Sequence, residues 1–242
     1  MTTNTNTPTI ILIPGHWLGA WAWDEVRDRL TTDGWRAVPM TLPGLDADDP
    51  ERASRTLDDQ KAAIEQTMTD AGASEAEPVV LVAHSGANAP VSIVLDRHPK
   101  LVRRVVWVDS GPAASGSVFA QDADVDELPL PSFDELGEQV SLEGLSADAL
   151  ERFRARAVPE PGPVVRGQVT LTDDARLAVP ATLVCCSIPS SRVKESAASG
   201  HPMFAEVANL EQVEFVDLPT GHWPMWSRPR ELAAALAAAA AS

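Results

Sequence analysis

Positive charge is what this sequence has least of. Across 242 residues, 19 lysines and arginines face 35 aspartates and glutamates, a formal net charge of −16. A surface of that sign repels phosphate backbones and anionic headgroups, so neither nucleic acid nor a membrane surface is an expected partner. Cysteine is nearly absent: Cys185 and Cys186 stand side by side in an apolar run. Neighbours on a strand point to opposite faces, so two separate buried thiols are expected rather than a disulfide. The polar opening MTTNTNTPT has no basic residue ahead of an apolar stretch, and no secretory leader is expected. No run is long and apolar enough to span a bilayer; the alanine-rich tail after Glu231 reads as a terminal helix. These absences point to the cytoplasm. The five histidines lack zinc-site spacing, and residues 111–116 (GPAASG) lack both the lysine of a phosphate loop and the dinucleotide pattern. No metal and no cofactor is implied.

What is present is a regular alternation. Residues 9–14 (TIILIP), 36–41, the run into Ser85, 104–109 (RVVWVD), 181–187 and 212–218 read as strands. Between them lie helix patterns: one ending near Asp33 before Gly34, one opened by the capping-box spacing Thr56-Leu57-Asp58-Asp59, and one running to His98 before Pro99. A last helix begins near Pro229, with Ser227 as its expected N-cap. Strands that are apolar throughout, separated by helices, predict a mostly parallel sheet with helices on both faces, a single α/β domain over residues 1–242. Residues 110–180 interrupt this rhythm. They are rich in Pro, Asp and Glu, with short helix signals at Ser132-Phe133-Asp134-Glu135 and at 147–157 (ADALERFRARA). Structureless loops of that length are rare in compact domains, so an inserted helical cap is expected.

The stretch Ala83-His84-Ser85-Gly86-Ala87 sits where a strand meets a helix, with small residues two before and two after the serine. A turn that tight needs small flanks, because strand and helix backbones nearly collide, and it exposes the serine hydroxyl above the sheet. The following amide, that of Gly86, then faces a developing oxyanion. Pro14-Gly15-His16-Trp17 follows the first strand, where a second donor belongs; the His16 amide is the candidate and the Trp17 amide the alternative. Thr220-Gly221-His222-Trp223-Pro224 follows the last strand, and a histidine there can reach the serine as general base. The competing reading of Ser85 is a plain structural turn, and that of His222 a surface-loop histidine.

These features together resemble the alpha/beta-hydrolase superfamily over nearly the whole chain. Residues 18–23 (LGAWAW) are further similar to the H-G-A-W-x-W segment of the plant methylesterase and hydroxynitrile lyase branch. The resemblance implies Ser85 as nucleophile, His222 as base, the His16 and Gly86 amides as oxyanion donors, and a cap at residues 110–180. The pattern fails at one point. Members of the superfamily usually place an aspartate after the strand that here ends in Cys185-Cys186-Ser187, but Ile188-Pro189-Ser190-Ser191-Arg192 holds no carboxylate. Asp109, at the end of VVWVD, is the expected substitute; its alternative role is to cap the Ser110-Gly111-Pro112 turn. Asp217 and Glu195 are weaker candidates. His84 is expected to pack against a neighbouring loop, and His98 and His201 to make local contacts.

The expected activity is hydrolysis of a small carboxylic ester, with a lactone or thioester as variants, through an acyl-enzyme. A hydroxynitrile lyase would use the same serine and histidine but characteristically adds a cap lysine, and Lys61, Lys100 and Lys194 all lie outside residues 110–180. A non-catalytic binding protein of the same fold is the other alternative, supported by the missing acid. Trp17, Trp21, Phe119 and Trp223 are expected to line the pocket. Small, neutral, apolar or aromatic esters follow as the substrate class. The oligomeric state is not legible.

Overall fold

The structure is a computed structural model and describes residues 7–123 and 125–242, so the expectation for residues 1–6 falls outside the described residues. The apolar runs form β1 (Ile10–Ile13), β2 (Ala37–Pro39), β3 (Val79–His84) and β4 (Val102–Val108); β5 (Glu127–Leu128) and β6 (Glu160–Pro161) are short, and β7 (Ala181–Cys185) and β8 (Val213–Asp217) complete the set. Six of them build one sheet in the order β2-β1-β3-β4-β7-β8, with every neighbouring pair parallel. The helices are α1 (Asp24–Thr32), α2 (Leu57–Asp70), α3 (Asn88–Arg97), α4 (Phe133–Gln139), α5 (Ala147–Arg156), α6 (Gly162–Val165), α7 (Ser190–Ala198), α8 (Pro224–Ser227) and α9 (Pro229–Ala241).

The central strands are largely apolar because both faces are covered. Ile10, Leu12, Val80, Val82, Val106 and Val108 pack on one side against Val26 and Leu30 of α1 and Leu232 and Leu236 of α9. Ile11, Ile13, Leu81, Ala83, Val105 and Trp107 pack on the other against Ile64 and Met68 of α2, Val91 and Val94 of α3, and Val193 of α7. The two-residue period of a strand therefore sorts one sequence run into two cores. It also separates the cysteines: Cys185 belongs to the second core and Cys186 to the first, both as free thiols. Burial pushes the Cys185 thiol up to about 12, and that of Cys186 up as well. Because the thiolate is the reactive form, neither cysteine is expected to react with iodoacetamide at pH about 8 in the folded protein. Intact mass should show two additions only after denaturation, and alkylation of the native chain would contradict this burial.

Three local expectations are corrected. β2 covers only Ala37–Pro39, flanked by single bonds from Ile10 to the Arg36 carbonyl at 2.8 Å and from Met40 to the Leu12 carbonyl at 3.1 Å; Pro39, which cannot donate, is tolerated on this edge strand. The helix after β1 starts as a 3-10 turn over Ala20–Trp23 before α1. Ser227 does not cap α9: Arg228 occupies the N-cap without a side-chain bond, while the Ser227 hydroxyl shares a hydrogen bond with Thr220 Oγ1 at 2.7 Å.

Between β4 and β7 the chain makes a long excursion. Capping by Ser132 with Glu135 opens α4, and Ser146 opens α5, as their sequences suggest. The antiparallel pair β5-β6 and the short α6 carried no such signal. The excursion is tied to the loops after β1 and β8: Val158 donates to the Trp17 carbonyl at 3.1 Å, Gly221 to that of Glu143 at 3.1 Å, and His222 to that of Ser141 at 2.8 Å. No helix among the described residues is long and apolar enough to cross a membrane.

Candidate active site

In an open parallel sheet, loops at the carboxyl ends of strands part where the strand order reverses. Here the chain moves outward from β1 to β2, then returns to β3 on the other side of β1. The loops after β1, β3, β4, β7 and β8 thus converge on one edge and carry His16, Ser85, Asp109, Ser187 and His222 respectively.

Strain marks the same edge. Among the described residues, the non-glycine residues with positive φ are Trp17 (64°), Ser85 (51°) and Asp109 (44°), each just past a strand. Such backbone costs on the order of 1–3 kcal/mol per residue and persists only where the surroundings enforce it. At Ser85 the enforcement is visible. The Ser110 hydroxyl donates to the Ser85 carbonyl at 3.1 Å. A Cβ added at Gly15 would stand 2.7 Å from Ser85 Cβ and 2.8 Å from the His84 carbonyl, so only glycine lets the loop after β1 approach the elbow.

From this elbow the Ser85 hydroxyl reaches His222 Nε2 at 2.8 Å, and His222 Nδ1 donates to Asp109 Oδ2 at 2.6 Å. The carboxylate is itself held: Oδ1 accepts the Cys186 and Ser187 amides at 3.0 and 2.8 Å, and Oδ2 accepts the Ser187 hydroxyl at 2.6 Å. Burial opposes the charge of Asp109, but the bonds from His222 and Ser187 outweigh it and hold the carboxyl below its ordinary range. The end of β7 therefore supplies donors to a carboxylate from β4 instead of supplying a carboxylate itself. Asp217 accepts the Ser190 amide and hydroxyl, each at 2.7 Å, and Glu195 pairs with Arg192 at 2.7 Å; neither is bonded to His222.

His84 does more than pack. Its ring is buried beneath the loop after β8, and its Nε2–H donates to the His222 carbonyl at 2.8 Å. Burial, with the neighbouring His222 ring adding to it, drives His84 down to about 3, so it is neutral in the folded protein. Unfolded, it takes up a proton near pH 6.5. The unfolded state thus binds the extra proton between about pH 6.5 and pH 3, and stability falls as pH drops through that window by about 1.4 kcal/mol per unit. Replacing His84 by Gln should flatten this slope in denaturant titrations run from pH 7 to pH 4. An equal slope in both proteins would show that His84 does not set it.

Beside the elbow lies a cleft of about 200 Å³, lined by Leu57, Ala113, Val164, Val169, Phe119 and Met203 together with His16 and Gly86. Of the aromatics expected there, Phe119 is in place. Trp223 is corrected to a core position, 2% exposed, its ring edge-on to His222 and packed on Phe153. Trp21 is likewise turned aside, stacked on Trp226 under the Arg156 guanidinium. Trp17 is partly buried and donates its ring N–H to the Leu128 carbonyl at 3.0 Å. His98 pairs with Glu65, and His201 accepts the Met203 amide. Sequence reasoning missed Glu160, 1% exposed on β6, which stands 3.0 Å from His16 Nδ1 and accepts Gln60 Nε2 at 3.1 Å. A Glu-Pro pair in an acidic excursion carries no local signal of such a contact.

Comparisons with known proteins agree with this architecture. A sequence model of the alpha/beta hydrolase family matches residues 10–235. Over 117 residues the chain is 26% identical to Methylesterase 17 of Arabidopsis thaliana, a stretch covering 48% of this chain and only 41% of that relative's length. An extracellular alpha/beta-hydrolase from a Paenibacillus species, described as sharing structural and functional homology with tobacco salicylic acid binding protein 2, superposes with a TM-score of 0.75 at 19% identity, over 96% of this chain and 98% of that one. The Arabidopsis methylesterase MES16 gives 0.73 at 16% identity over 97% and 99%. A pyrethroid hydrolase from Sphingobium faniae gives 0.70 at 18% identity over 97% and 98%. At these identities the structural likeness speaks for the fold.

Proposed function

The chain belongs to the alpha/beta hydrolase family, and from that premise we propose that it is a serine hydrolase of small carboxylic esters acting through an acyl-enzyme. The observation that carries this reading is the unbroken chain from the Ser85 hydroxyl through His222 to Asp109, at 2.8 and 2.6 Å. Ser85 Oγ attacks the ester carbonyl carbon while His222 Nε2 takes its proton. The carbonyl oxygen becomes an oxyanion facing the His16 and Gly86 amides. The Trp17 amide is directed to Glu160 Oε2 at 3.4 Å, which favours His16 over Trp17 as the donor from that loop. Collapse of the intermediate expels the alkoxide, which leaves as alcohol with the proton from His222. Water, deprotonated by the same imidazole, then releases the acid and restores Ser85. Asp109 keeps Nδ1 protonated and stabilises the imidazolium. Residues 110–180 act as the cap, closing the cleft and buttressing the backbone of the His222 loop.

The binding-protein alternative drew its support from the missing carboxylate after β7, and the Asp109–His222 contact at 2.6 Å removes that support. The lyase alternative still lacks its lysine. A mostly apolar cleft of about 200 Å³ suits short acyl groups, and the −16 net charge disfavours polyanions. Nitrophenyl acetate, butyrate and phenylacetate are therefore expected to be hydrolysed, and the palmitate poorly. Acid-quenched intact mass should catch Ser85 carrying the acyl group. A protein that turns over none of the short esters and carries no acyl adduct is not this enzyme.

A further inference from the structure

Two buried ring nitrogens beside the elbow have no partner among the described residues, His84 Nδ1 and His16 Nε2, and of the two residues His16 lines the cleft. The His16 side chain is 10% exposed, and its Nε2 has no hydrogen-bond partner among the described residues. On the other side of the ring, Nδ1 meets Glu160 Oε2 at 3.0 Å. The same carboxyl accepts the Trp17 amide at 3.4 Å, and its second oxygen accepts Gln60 Nε2 at 3.1 Å. Glu160 thus accepts from Trp17 and Gln60, and His16 Nδ1 lies against it as a close polar contact. That fixes the ring and leaves Nε2 as the unengaged atom. The ring occupies the space a side chain at position 86 would fill: a Cβ built on Gly86 would collide with Nε2. A second carboxylate–imidazole pair therefore stands against the residue that follows Ser85, its imidazole in the lining of the cleft, and no step described above uses its Nε2.

We infer that His16 determines acyl specificity: its Nε2 hydrogen-bonds a hydroxyl on the carbon next to the scissile carbonyl, making 2-hydroxyacyl esters the preferred substrates. This rests on the serine-hydrolase reading above. A hydroxyl is the fitting group because it donates to an imidazole lone pair or accepts from its N–H, and so pairs with Nε2 in either protonation state. Position follows from Gly86: the ring abuts the residue whose amide faces the oxyanion, so a polar atom must lie within a bond or two of the carbonyl carbon to reach it. Phe119 covers the ring with centroids 4.2 Å apart, yet is 60% exposed, so little apolar burial is lost when it swings aside for an acyl substituent. Glu160 and Gln60 are positioning residues for His16.

Methyl 2-hydroxy-2-phenylacetate and methyl phenylacetate differ only in that hydroxyl. Each ester is offered as substrate and as competitor against fluorophosphonate labelling of Ser85. The wild-type protein is expected to favour the hydroxy ester by about tenfold or more, because the analogue leaves a buried polar atom unpaired. His16→Phe keeps a planar ring and should bring the ratio near one. Glu160→Gln, which loosens the ring without removing it, should lower the ratio part of the way and serves where His16→Phe does not fold. A wild-type ratio near one, or an unchanged ratio in whichever variant folds and labels, overturns the inference and leaves the hydrolase reading standing. Wild-type protein that takes no probe removes the hydrolase reading itself, and the inference with it.

Discussion

Ser85→Ala is expected to abolish covalent labelling by a fluorophosphonate and to lower ester hydrolysis on the order of a thousandfold or more. His222→Ala should match it within about tenfold, because a nucleophile and its base act as a unit and removing either disables the same step. The warrant is geometric: Ser85 Oγ lies 2.8 Å from His222 Nε2, on a residue held at φ 51° by its neighbours. Both variants should keep their fold. Ser85→Ala removes one hydroxyl from a strained but well-enclosed turn, and the His222 backbone remains tied to Ser141 and His84 through its own amide and carbonyl. Intact mass after probe treatment, with circular dichroism as the folding control, decides the matter. A Ser85→Ala protein that still gains the mass of the probe would place the nucleophile elsewhere.

The second large effect is expected at Asp109. Asp109→Asn should reduce turnover by about a thousandfold, through the wrong histidine tautomer and an unstabilised imidazolium. The variant keeps an oxygen to accept the Cys186 and Ser187 amides, so its stability should fall by only about 1–3 kcal/mol, the cost of unpaired groups around Oδ2. Activity and stability thus separate, which a purely turn-capping aspartate would not produce. The pH dependence has a defined sign. The folded carboxyl titrates below its ordinary value, so its stabilisation is complete above about pH 4 and is lost as pH falls through the lowered folded value. Wild-type turnover in Asp109→Asn, measured on the best nitrophenyl ester, would return Asp109 to its capping role and reopen the question of the acid.

The elements that were legible in the sequence are those whose cause is local. Apolar runs such as IILI and VVLVAH are strands buried on both sides, and they needed no partner to be recognised. The Thr56–Asp59 and Ser132–Glu135 boxes start helices because each satisfies its own exposed amides. Ser85 could be singled out because small residues must flank so tight a turn, and the left-handed φ is the strain that rule anticipates. The aromatic pocket was misjudged for the opposite reason. Trp223 adjoins His222 in sequence, but adjacent residues on a loop face different ways, and Phe153 from the excursion claims its ring for the core.

What the sequence by itself determined, then, is the parallel α/β architecture, the elbow at Ser85, and a histidine loop after the last strand. Each rests on local periodicity or turn chemistry, and the architecture on the order in which such local elements alternate. Only the tertiary structure decided which carboxylate meets His222. Asp109 and His222 are 113 positions apart and come together because β7, paired to β4 on one side and β8 on the other, brings its donors Cys186 and Ser187 up to Asp109 beneath the His222 loop. The same holds for Glu160 and His16, which join a strand of the excursion to the loop after β1. Such pairings are set by strand order and by where a long insertion folds back, and no period or spacing in the chain encodes either.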